Sequence, residues 1–157
     1  EENLKMAKPD ATKEEMEAVL QKVNLLGFLQ TQDGLQTQLL EKASNLSGGQ
    51  CQRLVIARAL LRTDSAVYIF DEAASNIDVE SEELIMNVIH ELAKTKTVLL
   101  ISHRLANVVK SDKIYFLKDG EIKESGKHDE LMSRNGAYRH LYESQMTLEN
   151  YGKGGMA

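Results

Sequence analysis

Leu46-Ser47-Gly48-Gly49-Gln50 stands just ahead of an apolar-periodic run, Leu54 to Leu61. Two adjacent glycines have no Cβ, so their backbone can approach a ligand closely. Ser47 suits the residue that opens a helix. The free N–H groups at a helix start, with the positive end of its dipole, form a phosphate site. The stretch therefore predicts a phosphate-recognising helix N-terminus, with a helix from Gly49 to about Arg62 and Leu54, Ala57, Leu60 and Leu61 as its buried stripe. An ordinary Ser/Gly cap accounts for the same five residues, so what surrounds them has to decide.

Downstream, Ala66 to Phe70 is a short apolar run ending in Asp71-Glu72, the pattern of a buried parallel strand. A polar turn, Ala73 to Asp78, leads to a helix over Val79 to Lys94, with Leu84, Ile85, Val88, Ile89 and Leu92 as its stripe. Thr97 to Ile101 predicts a second buried strand, ending at Ser102-His103. A short helix, Leu105 to Val109, follows. Lys113 to Leu117 and Glu121 to Glu124 are strands joined at Asp119-Gly120, a strong hairpin signal. His128 to Ser133 and Tyr138 to Met146 close the chain as helices, and the tail holding three glycines is expected to be loose. Upstream, Glu1 to Asp10 predicts a loop. Thr12 with Glu15 is a capping-box pattern, Met16, Val19, Leu20, Val23 and Leu26 recur at helical spacing, and Gly27 is a plausible stop. Gln30 to Asn45 predicts an extended loop. Alternating strands and helices point to an α/β domain with a parallel sheet.

A chain of 157 residues is about one domain. A hydrophobic share of 42% and a charged share of 27% describe a soluble globular protein. The net charge of −5, with scattered Lys and Arg, argues against nucleic acid as a partner. Cys51 is the one cysteine, so no internal disulfide forms and a reducing compartment is expected. Val98 to Ile101 is too short to span a bilayer, and no secretory signal is visible. The chain opens at Glu1, not methionine, which suggests the back part of something longer.

Asp71 and Glu72 end a strand on the edge where open α/β sheets bind ligands. One carboxylate can hold Mg2+, which keeps most of its waters; the other can polarise a water for attack on phosphate. A helix cap or solvated loop pair is the alternative. His103 ends the next strand and could donate a hydrogen bond to a phosphate oxygen or a water, or simply cap the strand. Asp78 closes the polar turn and could be a plain N-cap.

The order of these pieces strongly resembles the ATP-binding-cassette (ABC) ATPases. Leu46 to Gln50 is similar to their signature, Val67 to Asp71 to the Walker B strand, Glu72 to the catalytic glutamate, Ser75 to Asp78 to the D-loop, and His103 to the switch histidine. Asn76 and Ile77 depart from the Ala and Leu usual there, and Cys51 from a polar residue; the helix should turn Cys51 away from phosphate. The resemblance runs from Glu1 to about Gln145. Thr97 to Leu105, Lys118 to Ile122, Gly126 to Met132 and Gly136-Ala137-Tyr138 with Leu141 resemble the exporter branch, whose cassettes are fused to or associate with a transmembrane domain.

The family's phosphate loop, G-x-x-x-x-G-K-[ST], begins at none of the ten glycines. The resemblance therefore implies a partial P-loop NTPase core plus the family's helical subdomain, with the central Walker A strand missing. The expected divisions are residues 1–62, the helical subdomain with the signature helix; 63–146, the C-terminal half of the ATPase core; and 147–157, a flexible tail. In the family that missing strand lies between those matching Val98–Ile101 and Lys113–Leu117. Its absence leaves unpaired edges, which invite pairing with another chain. Residues 1–157 alone are expected to rearrange the sheet or borrow a strand from a neighbour.

In the family two cassettes sandwich two ATP molecules. The resemblance implies that Ser47, Gly48, Gly49 and Gln50 meet ATP held by the opposite cassette. Asp71 would orient the Mg2+ shell through water, Glu72 would be the general base, His103 would hold the γ-phosphate, and Asp78 would couple the two sites. The implied protein is an ATPase of an exporter at the cytoplasmic face of the plasma (inner) membrane, partnered by a second nucleotide-binding domain, identical or paralogous, and by a transmembrane domain. The fragment alone would be inactive. The competing expectations are a soluble cassette ATPase of the repair or translation type and a non-catalytic interaction module.

Overall fold

The computed structural model describes residues 1–75 and 77–154, with side chains to Leu148; Asn76 of the expected D-loop lies outside them, as do residues 155–157 of the expected tail. The chain forms two compact units that divide between Ile101 and Ser102. The expected boundary after residue 62 falls inside the first unit. The signature helix, the first strand and the helix after it contribute to one apolar core there.

The first unit opens with α1 (Glu2–Lys5) where a loop is predicted. Its single turn is held by the Glu1–Lys5 ion pair and by burial of Leu4. Helix α2 (Lys13–Lys22) starts at the predicted capping box, with Thr12 and Glu15 bonded reciprocally. It stops five residues before Gly27, because Asn24 turns left-handed at φ 51°, a conformation Asn tolerates better than most residues. Gly27 then lies inside α3 (Leu26–Gln30). Two 3-10 turns, Gly34–Gln36 and Glu41–Ala43, occupy the predicted extended loop. Helix α4 (Gly48–Leu61) and α5 (Val79–Ala93) flank strand β1 (Val67–Asp71) in sequence.

Ala57 and Leu61 on α4, and Ile85 and Ile89 on α5, are buried as predicted, but the rest of each stripe is rotated. On α4, Ile56 is fully buried beside Ala57 and Leu61, whereas Leu54 and Leu60 are only partly covered. On α5 the buried face is Ser81, Glu82, Ile85, Met86 and Ile89. Leu84, Val88 and Leu92 instead line an open groove of about 590 Å³. Apolar periodicity finds the helix but cannot choose between two adjacent apolar stripes when both are long enough to face a core.

Strand β1 pairs in parallel with β2 (Thr97–Ile101), in a register that sets Asp71 opposite Ile101. The strands are not buried on both faces as predicted. Tyr68 and Phe70 face the core, but Val67, Ile69, Leu99 and Ile101 are about half exposed or more. Among the described strands β2 pairs only with β1. A two-stranded sheet can cover only one face with its own helices, so the other apolar face stays open.

The second unit runs from the Leu105–Val108 3-10 turn through β3 (Ile114–Lys118), β4 (Glu121–Gly126), α6 (His128–Ser133) and α7 (Ala137–Gly154). The hairpin turns at Asp119-Gly120 as predicted, both residues at positive φ, with a bulge at Phe116/Leu117. Tyr138 anchors α7. It is fully buried, meets Phe116 edge-on, and its hydroxyl lies 2.8 Å from His128 Nδ1. Burial pushes its phenol up to about 12. The Glu124 carboxylate accepts from the backbone N–H groups of Ala137 and Tyr138, capping α7. Helix α7 continues to Gly154 rather than ending at Met146; Gly152 within it weakens a helix but does not stop it.

Candidate functional site

The signature turn is built by a capping box. Ser47 Oγ accepts from Gln50 N at 3.2 Å, and Gln50 Oε1 accepts from Ser47 N at 2.8 Å. Both bonds use acceptors. The Ser47 hydroxyl hydrogen, the Gln50 Nε2 hydrogens and the N–H groups of Gly48 and Gly49, which have no partner within the helix, keep their capacity to donate; the N–H of Gln50 is taken by Ser47 Oγ. An anion asks for such a set. Ser47 and Gly48 are exposed.

The two glycines are not equivalent. Around Gly48 a Cβ would meet nothing within 4 Å. Gly49 is buried, and a Cβ there would stand 2.5 Å from Ser81 Oγ and 3.2 Å from Asp78 Oδ2. Gly48 thus leaves room for close approach from outside, while Gly49 leaves room for the start of α5. Asp78 caps that helix, accepting from Ser81 N at 2.8 Å. The backbone N–H and hydroxyl of Ser81, and less strongly the charge of Arg53, hold its carboxyl below the usual carboxylate range. The plain N-cap role is therefore real, and it places Asp78 against its own chain's signature turn.

Arg53 carries no signal in the sequence beyond being an arginine on α4. It donates from Nε to Gly49 O at 3.3 Å and from Nη1 to Asn24 O at 3.2 Å, tying the signature turn to the end of α2. Cys51, partly buried, has its Sγ 3.9 Å from Ala43 O.

At the carboxyl end of β1 the chain turns sharply. Glu72 adopts φ 52°, an uncommon conformation for a residue with a side chain, costing on the order of 1–2 kcal/mol. Three bonds hold it there: Glu72 N donates to Ile101 O at 3.0 Å, and Ser75 donates from both N and Oγ to Glu72 O, at 3.0 and 2.9 Å. Such strain persists only where the surroundings over-determine it, and it gathers at working sites. Asp71, the residue before, is exposed at the strand end. Among the described residues no three metal-binding side chains gather. Mg2+ needs only one or two protein carboxylates, so Asp71 with water fits that ion and not a metal that demands a full protein cage.

His103 belongs to the second unit and is exposed. It follows β2 by two residues, as predicted, and precedes the 3-10 turn that begins at Leu105. Its backbone, and that of Leu105, are held by Gln145 of α7, a residue the sequence did not single out.

The sequence profile of the ABC transporter family matches residues 1–75, from the chain's start through the signature turn to Ser75. An ABC transporter ATP-binding protein of Haemophilus influenzae, itself uncharacterised, is 52% identical over 94% of this chain. The chain belongs to the ATP-binding-cassette family. An ATP-dependent lipid A-core flippase of Mannheimia succiniciproducens is 46% identical over 88% of the cassette chain, and its Vibrio cholerae counterpart 43% over 88%. A bacterial Atm1-family ABC exporter solved with ATP bound superposes with a TM-score of 0.82, at 30% identity over 91% of this chain. The cassette chain spans about a quarter of each: 26%, 24%, 24% and 25% respectively. The relatives named for export carry the exporter resemblance of the closing segments, and the mixed α/β fold with a small parallel sheet agrees with the expected partial cassette core. Among the described residues no helix is long and apolar enough to cross a membrane.

Proposed function

We propose that this cassette chain is the signature-bearing part of an exporter ATPase, in which ATP closes two cassettes on one another and hydrolysis resets them. The observation that carries the reading is Glu72, a carboxylate held in a strained turn just past the end of a parallel strand by Ile101 and Ser75. A group kept at such cost has a task that a relaxed surface glutamate lacks. Glu72 accepts the proton of the attacking water, and His103 holds the γ-phosphate. Asp71, through water, would hold Mg2+, which would supply charge neutralisation at the phosphate oxygens. Phosphoryl transfer is mostly positioning and charge stabilisation, which suits residues fixed by backbone bonds. Ser47, Gly48, Gly49 and Gln50 donate to the γ-phosphate of ATP held by the opposite cassette, and Asp78, beside that turn, links closure of one site to the other. The transmembrane partner sits in the membrane, and this part at its cytoplasmic face. The flippase names of the relatives favour export over repair or translation.

The test separates the two halves of each site. In the complete protein, one cassette receives Ser47→Arg and its partner Glu72→Gln. With the lesions on different cassettes, one composite site stays intact and turnover persists at up to about half. With both on the same cassette, neither site is whole and turnover vanishes. The opposite pattern would place Ser47 and Glu72 of one and the same cassette in a single site and end the reading.

Residues 1–157 by themselves are expected to bind ATP weakly, to hydrolyse none, and to associate through the free edge of β2 and the open apolar face beside it. Sedimentation over a hundredfold range of concentration reads this directly. A strict monomer that titrates tightly with one ATP contradicts it.

A further inference from the structure

We propose that Gln145 is a positioning residue for His103, acting through the two peptide groups that follow it; the inference rests on the role given to His103 above. One side-chain amide grips the turn twice. Gln145 Nε2 donates to His103 O at 2.6 Å, and Gln145 Oε1 accepts from Leu105 N at 2.9 Å. The partners lie 42 and 40 residues away in sequence, so the contact is tertiary and ties α7 to the turn. Ser102 holds the same two peptide groups from their other ends: its Oγ accepts from Arg104 N at 3.0 Å and donates to Arg104 O at 3.2 Å. The two peptide groups that follow the histidine are thus fixed while His103 itself is exposed.

A primary amide is the side chain that can do this. It offers a donor and an acceptor on one plane, spaced like the edge of a peptide. Glutamate keeps the acceptor and loses the donor; alanine loses both. The grip is itself anchored, because Gln145 lies seven residues, about two helical turns, beyond Tyr138. Tyr138 is fully buried and its helix start is capped by Glu124. Helix α7 therefore acts as a fixed post from which the amide reaches the turn. A histidine that must meet a phosphate oxygen in the transition state gains rate from such placement, and a displacement of about 1 Å can cost about a hundredfold.

The test uses the complete protein with Gln145→Ala, Gln145→Glu and, as a control on the same helix, Ser144→Ala, whose hydroxyl donates to its own helix at His140 O. For Gln145→Ala, kcat is expected to fall about tenfold with KM for ATP within about twofold. Exchange of the Leu105 amide hydrogen should speed up severalfold while the protection of α7 stays. Gln145→Glu should lose at least as much kcat, because a carboxylate replaces the donor facing the His103 carbonyl. Ser144→Ala should match the parent. Unchanged kcat in both Gln145 variants, an equal fall in Ser144→Ala, or a fall in kcat with unaltered Leu105 exchange would each overturn the proposal. His103→Ala keeps the two layers apart: if it leaves kcat intact, the role of His103 fails first. If it removes turnover while the Gln145 variants do not, only the positioning claim fails.

Discussion

Glu72→Gln in the complete cassette protein is expected to lower the steady-state rate of ATP hydrolysis by about 10²–10⁴, with nucleotide affinity close to the parent. The substitution keeps size, shape and the backbone bonds. Glu72 N still donates to Ile101 O, and Ser75 still holds the carbonyl. Only the ability to take up a proton goes. A companion variant isolates the strain. Glu72→Gly removes the same base but relieves the positive φ, which glycine adopts freely. It should raise the melting temperature even as turnover disappears, whereas Glu72→Gln should leave it level. A residue whose removal stabilises the fold and stops the chemistry is one the fold retains for the chemistry. Phosphate-release assays on the purified complete protein measure the first effect and calorimetry the second. Parent-like turnover in Glu72→Gln takes the general base away from this residue.

Gly49→Ala should destabilise the first unit by about 1–3 kcal/mol, the usual cost of forcing a methyl into a packed contact. Gly48→Ala should be neutral or slightly stabilising, since alanine favours a helix over glycine by up to about 1 kcal/mol. The two positions are neighbours in the sequence and differ in what surrounds them. The added Cβ at Gly49 meets Ser81 Oγ at 2.5 Å and Ser81 Cβ at 3.0 Å, while at Gly48 it meets nothing. Ser81 is buried and its N–H is bonded to Asp78, so it has little room to retreat. Ser81→Ala removes the closest atom and should return part of the loss in the double variant, a coupling that chemical denaturation can quantify. Additive effects, or equal costs at the two glycines, would mean that α5 does not press on the signature turn. Activity offers a second contrast. Gly48→Ala, mild for folding, should still impair turnover if the signature turn has the role proposed above, because a methyl would then stand on the open side that a phosphate approaches.

Much of the local structure around the candidate site was legible before any coordinates. Thr12 with Glu15 is read as a capping box because both partners lie within one turn, and it forms. The Asp119-Gly120 turn is read the same way. Ser47 is read as a helix opener, and its reciprocal bond with Gln50 went unread although the spacing is the same. Asp71 and Glu72 announce themselves by following an apolar run of strand length. Where expectation failed, the missing information was distant. Whether β1 and β2 are covered on both faces depends on what packs above them, and an apolar run cannot report that its outer face has no neighbour. The stripes of α4 and α5 were misplaced by the breadth of their apolar surfaces, since Met86 and Ile56 are as hydrophobic as the leucines chosen instead.

What the sequence by itself determined is the family and the local devices: helix starts, strand ends and the order of signature, carboxylate pair, polar turn and histidine. These rest on partners a few residues apart, and short-range chemistry is written in short-range spacing. The tertiary structure alone decided that Gly49 answers to Ser81, that Arg53 ties the signature turn to Asn24, that Glu72 is wound into a left-handed turn, and that Gln145 grips the peptide groups beside His103. Each of those joins residues brought together only by folding, or a backbone angle imposed by such neighbours, and no spacing along the chain encodes them.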